Sequence, residues 1–259
     1  MILFIFIFGL FLGSFLLVVA SRLPKGESFW KGRSRCEYCN HILEAKDLVP
    51  IFSFLLLKGK CRYCSEKLSF KYPFAEVLTG LVFITPFFTQ NINLISWNQD
   101  QIFSVIFIIF ILSVLIVIFF ADIEYYIIPF QVLLPAIVVV CIWDILVRPE
   151  NFMNYLISGT GALLFFLAIF LISKGRGMGF GDVVLVFFMG ILLGFPNIIV
   201  ALYVAFLTGA VVSLILVLSR KKKLRGGVIP FGPFLIFGTY VALFWGDKLA
   251  SLAWSYIYL

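Results

Sequence analysis

QIFSVIFIIFILSVLIVIFFADIEYYIIP, residues 101–129, decides the fold. From Ile102 to Ala121 it runs for 20 residues without a charge, and Asp122 and Glu124 then arrive within three positions. An α-helix rises about 1.5 Å per residue, so such a run spans about 30 Å, the thickness of a bilayer's hydrocarbon core. The segment reads as a membrane-crossing helix that ends in a carboxylate at the water boundary. Apolar runs recur on both sides of it, with helices expected over about 2–20, 72–90, 102–121, 131–147, 155–173, 182–195, 197–219 and 230–254. The expected fold class is an all-α polytopic membrane protein of about eight transmembrane helices with a small cytosolic metal-binding loop domain. Composition points the same way: 63% of the chain is hydrophobic and only 13% charged, about half the usual charged share of about 25%. The first run, Met1 to Ala20, lacks a basic leading region and an A-x-A-like cleavage site, so it reads as an uncleaved helix.

Charge sets the expected orientation. With the N-terminus outside, the inner segments 22–71, 122–130, 174–181 and 220–229 hold 18 of the 20 Lys and Arg residues, leaving Arg148 and Lys248. The reverse orientation would put nearly all of them outside, against the positive-inside rule. The net charge of +7 thus follows from topology and contact with anionic lipid. No interleaving of aromatic and basic residues points to nucleic acid. The run RKKKLR at 220–225 reads as a topological anchor on lipid.

Four cysteines fall in the inner segment 22–71: Cys36 with Cys39, and Cys61 with Cys64. Two Cys-x2-Cys turns offer two thiolates each, the donor set of a tetrahedral Zn²⁺. Unmetallated thiols or two redox pairs are the competing readings. A loop of this size is too short for a large core and leans on a metal for its fold. His41, the one histidine, follows Cys39 by two residues and is an alternative ligand. The stretch Leu48 to Leu57 is apolar but too short to cross a membrane, and reads as lying along the membrane surface. No internal repeat of 20–50 residues stands out.

Ionisable groups at membrane depth are costly and are functional candidates for that reason. Glu76, Asp122, Glu124, Asp144 and Asp182 lie in or at the ends of the expected helices. Topology separates them. Asp122 ends one helix and Asp182 opens another, both on the inner side, whereas Asp144 belongs near the outer face beside Trp143 and Arg148 as an interfacial charge. Two close aspartates share a proton, and the pair can activate water while polarising a carbonyl. Gly175, Gly177, Gly179 and Gly181 precede Asp182 and leave room for an extended peptide. Spacing alone reads equally well with Asp182 as a helix N-cap and Asp122 as a helix-end charge.

Taken together, these residues resemble the type IV prepilin peptidases, the GxGD class of membrane aspartyl proteases. GLFLGSFLLVVASRLP is similar to the family's N-terminal signature. The segment from CEYCN to KYPFAE is similar to its zinc-binding loop, ADIEYYIIP and GMGFGD to the regions of its two aspartates, and IPFGPFLIFG to its closing motif. The resemblance implies a membrane endopeptidase that removes the short basic leader of a prepilin or pseudopilin at the cytosolic face of the bacterial inner membrane. It also implies N-methylation of the new terminus with S-adenosylmethionine, although no glycine-rich cofactor fingerprint is visible. It casts Asp122 and Asp182 as the catalytic pair. Gly179 and Gly181 shape the substrate site, and Cys36, Cys39, Cys61 and Cys64 hold a structural Zn²⁺. Glu76, one turn into its helix near the inner face, reads by position either as a substrate-site residue that contacts the substrate's amine or the cofactor, or as an interfacial residue hydrogen-bonded to the loop. The expected organisation is a first transmembrane helix over 1–21, the zinc-binding loop domain over 22–71 and a membrane peptidase domain over 72–259.

Three positions depart from the family pattern: Leu17 where Asn is frequent, Phe130 where Asp is frequent, and Val184 where Lys is frequent. They keep two other readings in view, a cation transporter and an inactive scaffold of pilus assembly. The natural substrate and the oligomeric state are not legible in the sequence.

Overall fold

The structure, a computed structural model, describes residues 2–89, 99–219 and 229–257; the basic run 220–225 lies outside them. Nine α-helices form among the described residues: α1 Ile2–Arg22, α2 Phe52–Leu56, α3 Lys71–Thr89, α4 Gln99–Tyr125, α5 Phe130–Val147, α6 Phe152–Ile172, α7 Phe180–Leu193, α8 Asn197–Leu218 and α9 Gly232–Ile257. The eight long ones are those the apolar runs predict, each within four residues at either end. The described residues contain no strand, only two isolated bridges. Among the described residues six helices are long and apolar enough to cross a membrane: α1, α3, α4, α5, α6 and α8. α7, with 14 residues, rises only about 21 Å. The chain is a multi-pass membrane protein. By its contacts it divides into two units, Met1–Phe120 and Ala121–Leu259.

In the first unit α1 packs along α3. Gly9 and Gly13 make this possible. A Cβ at Gly9 would stand 2.7 Å from the Gly80 Cα, and one at Gly13 would stand 2.7 Å from the Thr79 hydroxyl. In lipid the gain from helix contact is van der Waals packing, so small residues at a crossing set how closely backbones approach. Leu17, where the family often has Asn, is buried on α1.

The loop between α1 and α3 contains a repeat that sequence inspection misses. RSRCEYCNHIL at 33–43 and KGKCRYCSEKL at 58–68 share only Cys, Tyr, Cys and Leu, yet their backbones make the same hydrogen bonds 25 positions apart. The Cys36 N–H donates to the His41 carbonyl as Cys61 does to Glu66; Asn40 closes on Cys36 as Ser65 does on Cys61; Leu43 bonds Ser34 as Leu68 bonds Gly59. Asn40 (φ 56°) and Ser65 (φ 60°) occupy the same left-handed position.

In the second unit α7 is the hub. It contacts α5, α6, α8 and α9, most extensively α6. Leu185, Val186, Phe188 and Met189 on it have no exposed surface, as expected of a helix that is apolar all round. A side chain on Gly190 would overlap the backbone of Gly159 on α6, and one on Gly238 of α9 would overlap the Ala201 carbonyl of α8. These two contacts hold the α6–α7 and α8–α9 pairs close.

Candidate functional site

Asp122 lies in the last turn of α4. The helix stops at Tyr125, and Tyr126 turns left-handed (φ 59°), its N–H bonding the Asp122 carbonyl at 3.0 Å. Asp182 lies in the first turn of α7, behind the N-cap Gly179, whose backbone is extended. Both carboxylates belong to the second unit, both are buried, and they are close enough for the charge of Asp122 to act on Asp182. Two residues sixty positions apart are thus brought to neighbouring helix ends, within range of each other's charge.

The surroundings of the pair are backbone and apolar side chains. The Asp182 N–H donates to the Gly179 carbonyl at 3.2 Å, and a Cβ on Gly179 would stand 3.5 Å from Asp182 Oδ2. Gly181 faces elsewhere: a Cβ there would meet the Ile128 side chain at 3.1 Å. Its bareness seats the segment after Asp122 against the start of α7. Gly232, at the start of α9, is the residue that sequence reasoning missed. Its backbone lies against the Asp122 carboxylate, and a Cβ on it would fall 2.5 Å from Asp122 Oδ2. IPFGPFLIFG was visible as a motif, but nothing in it linked glycine to an aspartate far upstream. Asp122 Oδ2 is itself buried and has no hydrogen-bond partner among the described residues. A buried carboxylate oxygen without a donor is costly. Phe130, one of the departures, stacks obliquely on Phe180 with centroids 6.4 Å apart, so an aromatic pair stands two residues from Asp182.

The first unit holds the thiols. The Sγ atoms of Cys36, Cys39, Cys61 and Cys64 all lie within 4.8 Å of one another, with Cys36 and Cys64 at 3.9 Å. A tetrahedron with metal–sulfur bonds of about 2.3 Å spaces its sulfurs about 3.8 Å apart, so the four side chains fit one Zn²⁺-sized ion, two from each half of the repeat. His41 is not in the group; its ring lies on that of Tyr63, centroids 3.7 Å apart. Asp47 braces the second turn, accepting from Arg62 Nε at 2.6 Å, the Tyr63 hydroxyl at 3.0 Å and the Glu44 amide at 3.1 Å. Burial alone would raise its pKa, but these bonds outweigh burial and hold Asp47 below the usual carboxylate range.

Glu76 is buried in α3, where Oε2 accepts the Ile51 N–H at 2.7 Å. It ties the loop to α3. Asp144, expected at a surface, is buried within the second unit.

The fold and these groups define a class: a polytopic membrane protein with two buried aspartates at helix ends, within range of each other's charge, and a four-thiol loop. Comparisons with known proteins agree with one another. Residues 7–90 match the Bacterial Peptidase A24 N-terminal domain, and residues 108–214 match the Type IV leader peptidase family. The prepilin leader peptidase/N-methyltransferase of Bacillus subtilis (strain 168) is 32% identical over 248 residues, 95% of each chain. Those of Aeromonas hydrophila and Stutzerimonas stutzeri are 28% and 26% identical, each over 95% of this chain and 91% of the relative. No solved structure matches the chain. The chain belongs to the prepilin leader peptidase/N-methyltransferase family.

Proposed function

We propose that this protein removes the short basic leader from type IV prepilin-like proteins, prepilins or pseudopilins, and then methylates the new terminal amine. The observation that carries the peptidase reading is the buried Asp122–Asp182 pair with one oxygen left without a donor among the described residues. The positive-inside distribution supports cutting at the cytosolic face of the inner membrane, with the thiol loop on the same side. The organisation that goes with this reading is a first transmembrane helix over 1–21, the loop domain over 22–71 and the peptidase domain over 72–259.

The pair carries one proton between its two carboxyls, because like charges this close do not both ionise readily. The ionised aspartate takes a proton from water as its oxygen attacks the scissile carbonyl carbon. The protonated one donates to the carbonyl oxygen. Collapse of the tetrahedral intermediate breaks the C–N bond, and the amine leaves with the proton first taken from water. Gly179 and Gly232 hold the two carboxylates through backbone contacts and keep side chains out of the peptide's path. Gly181 shapes the site through Ile128.

Cys36, Cys39, Cys61 and Cys64 hold a structural Zn²⁺, which cross-links the two halves of the repeat. Glu76 fixes the loop within the first unit through the Ile51 N–H. S-adenosylmethionine supplies the methyl group; no set of described residues forms a recognisable cradle for it, so no step is assigned to it.

The test is a prepilin-like substrate co-reconstituted in membranes, with N-terminal analysis of the product. Asp122→Asn and Asp182→Asn each abolish cutting if the reading holds. Cutting that survives both changes ends it. The same analysis reports methylation as added mass on the new terminus.

A further inference from the structure

The loop of the first unit carries an apolar rim that the protein does not cover. On α2, Phe52, Leu55 and Leu56 are 66%, 66% and 80% exposed, and Phe70, just ahead of α3, is 71% exposed. The remaining aromatic of α2, Phe54, turns the other way. Its ring meets Phe70 edge-on at 6.2 Å and lies against Gly59. The short helix therefore has an inner and an outer side, and its outer side is wholly apolar.

Two observations say what covers it. The first is continuity. The Phe74 N–H bonds the Phe70 carbonyl at 3.2 Å, so Phe70 sits one turn below the exposed Phe74 on the same face of a membrane-crossing helix. The rim thus runs on into a lipid-facing stripe. The second is charge. Residues 52–70 contain Lys58, Lys60, Arg62 and Lys67 against the single acid Glu66, and the three lysines are exposed. Apolar residues ringed by lysine suit the boundary of an anionic leaflet.

The root of α2 is held to a membrane helix. Ile51 has φ 61° and ψ −51°, and the Phe52 N–H reaches the Pro50 carbonyl at 2.6 Å. This is a three-residue turn of the strained hand, costly for a β-branched residue. The buried carboxylate of Glu76 accepts the Ile51 N–H and keeps the turn in place.

We propose that α2 is a lipid foot: Phe52, Leu55, Leu56 and Phe70 enter the headgroup–acyl boundary of the leaflet where α1 ends and α3 begins, and the lysines around them select anionic lipid. The foot sets the height of the thiol loop above the membrane. This assignment is independent of the peptidase reading.

Hydroxyl-radical footprinting of the zinc-loaded full chain in phosphatidylglycerol–phosphatidylcholine nanodiscs tests it. Corrected for intrinsic reactivity, the four rim residues oxidise at least about fivefold more slowly than the exposed Trp30 and Tyr38, as lipid burial requires. Oxidation at the Tyr38 rate, or protection that develops only when a substrate protein is added, overturns the proposal. Leu56→Asp deprotects Phe52 with zinc content unchanged; loss of zinc would show that Leu56 is a core residue and overturn the foot. Lys58→Glu with Lys60→Glu weakens protection in the anionic discs. Unchanged protection in that variant, matched by wild type in pure phosphatidylcholine, overturns the selection for anionic lipid.

Discussion

Replacing Gly232 with alanine adds a single methyl group beside the candidate catalytic pair. The new Cβ would stand 2.5 Å from Asp122 Oδ2 and 3.1 Å from its Cγ, where ordinary contact begins at 3.4 Å. Gly232 is not among the glycines of positive φ, so the backbone itself accepts alanine and the effect is steric. The Asp122 carboxylate must retreat by about 0.9 Å, the shortfall against that contact distance. A displacement of about 1 Å at a reacting group costs on the order of 100-fold in rate, or about 2.7 kcal/mol of barrier. The assay is kcat for leader removal in proteoliposomes, with zinc content and unfolding midpoint measured on the same preparations. Gly161→Ala is the control, since nothing lies within 4 Å of a Cβ at that position. The expected result is a loss of about 100-fold in Gly232→Ala, wild-type turnover in Gly161→Ala, and equal midpoints. A Gly232→Ala protein that keeps more than about a third of wild-type kcat would refute the reasoning, because a 0.9 Å shift of a reacting carboxylate cannot leave the rate near intact. Should α9 move instead, its packing on α8 is disturbed and the midpoint falls.

Other expectations follow from the first unit. Changing Cys36→Ser together with Cys39→Ser takes half the thiols from the cluster and abolishes zinc in elemental analysis; unchanged metal content removes the metal site. Glu76→Ala strands the Ile51 N–H and destabilises the first unit by about 2–3 kcal/mol in denaturant titration, whereas Glu76→Gln, which still accepts that bond, costs about 1 kcal/mol or less; equal losses in the two variants contradict the hydrogen-bond account. Asp47→Asn lowers the stability of the zinc loop by about 1–2 kcal/mol at neutral pH. The folded pKa of Asp47 is depressed, so its contribution is fully present above the ordinary carboxylate value and fades as pH falls through the depressed one. The gap between wild type and variant therefore closes in acid, and a gap that widens there is incompatible with this view.

The apolar runs announced all eight long helices, because a membrane span must satisfy its backbone within itself and so writes its length directly into hydropathy. They did not establish the number of crossings: six of the described helices are long and apolar enough to cross, and α7 is an apolar helix of 14 residues. The two cysteine pairs and the two aspartates were legible for another reason. Cysteine spacing reflects a local turn, and a carboxylate beside a long apolar run is conspicuous. The 25-residue repeat escaped because its likeness lies in backbone hydrogen bonds, with only Cys, Tyr, Cys and Leu shared in sequence. Asp144 read as an interfacial charge by its neighbours in the chain, and that its side chain is buried is set by its neighbours in space.

By itself, then, the order of residues determined the helices, the thiol turns and the family, all of which depend on groups near one another along the chain. Only the tertiary structure decided that Gly232 presses on Asp122, that Ile128 rests on Gly181, that Glu76 holds the Ile51 turn and that α2 presents an apolar side to its surroundings. Each of these is a contact between distant parts of the chain. Glycine in such a contact contributes by the side chain it lacks, and an absence of atoms acquires meaning only once another segment is packed into the space.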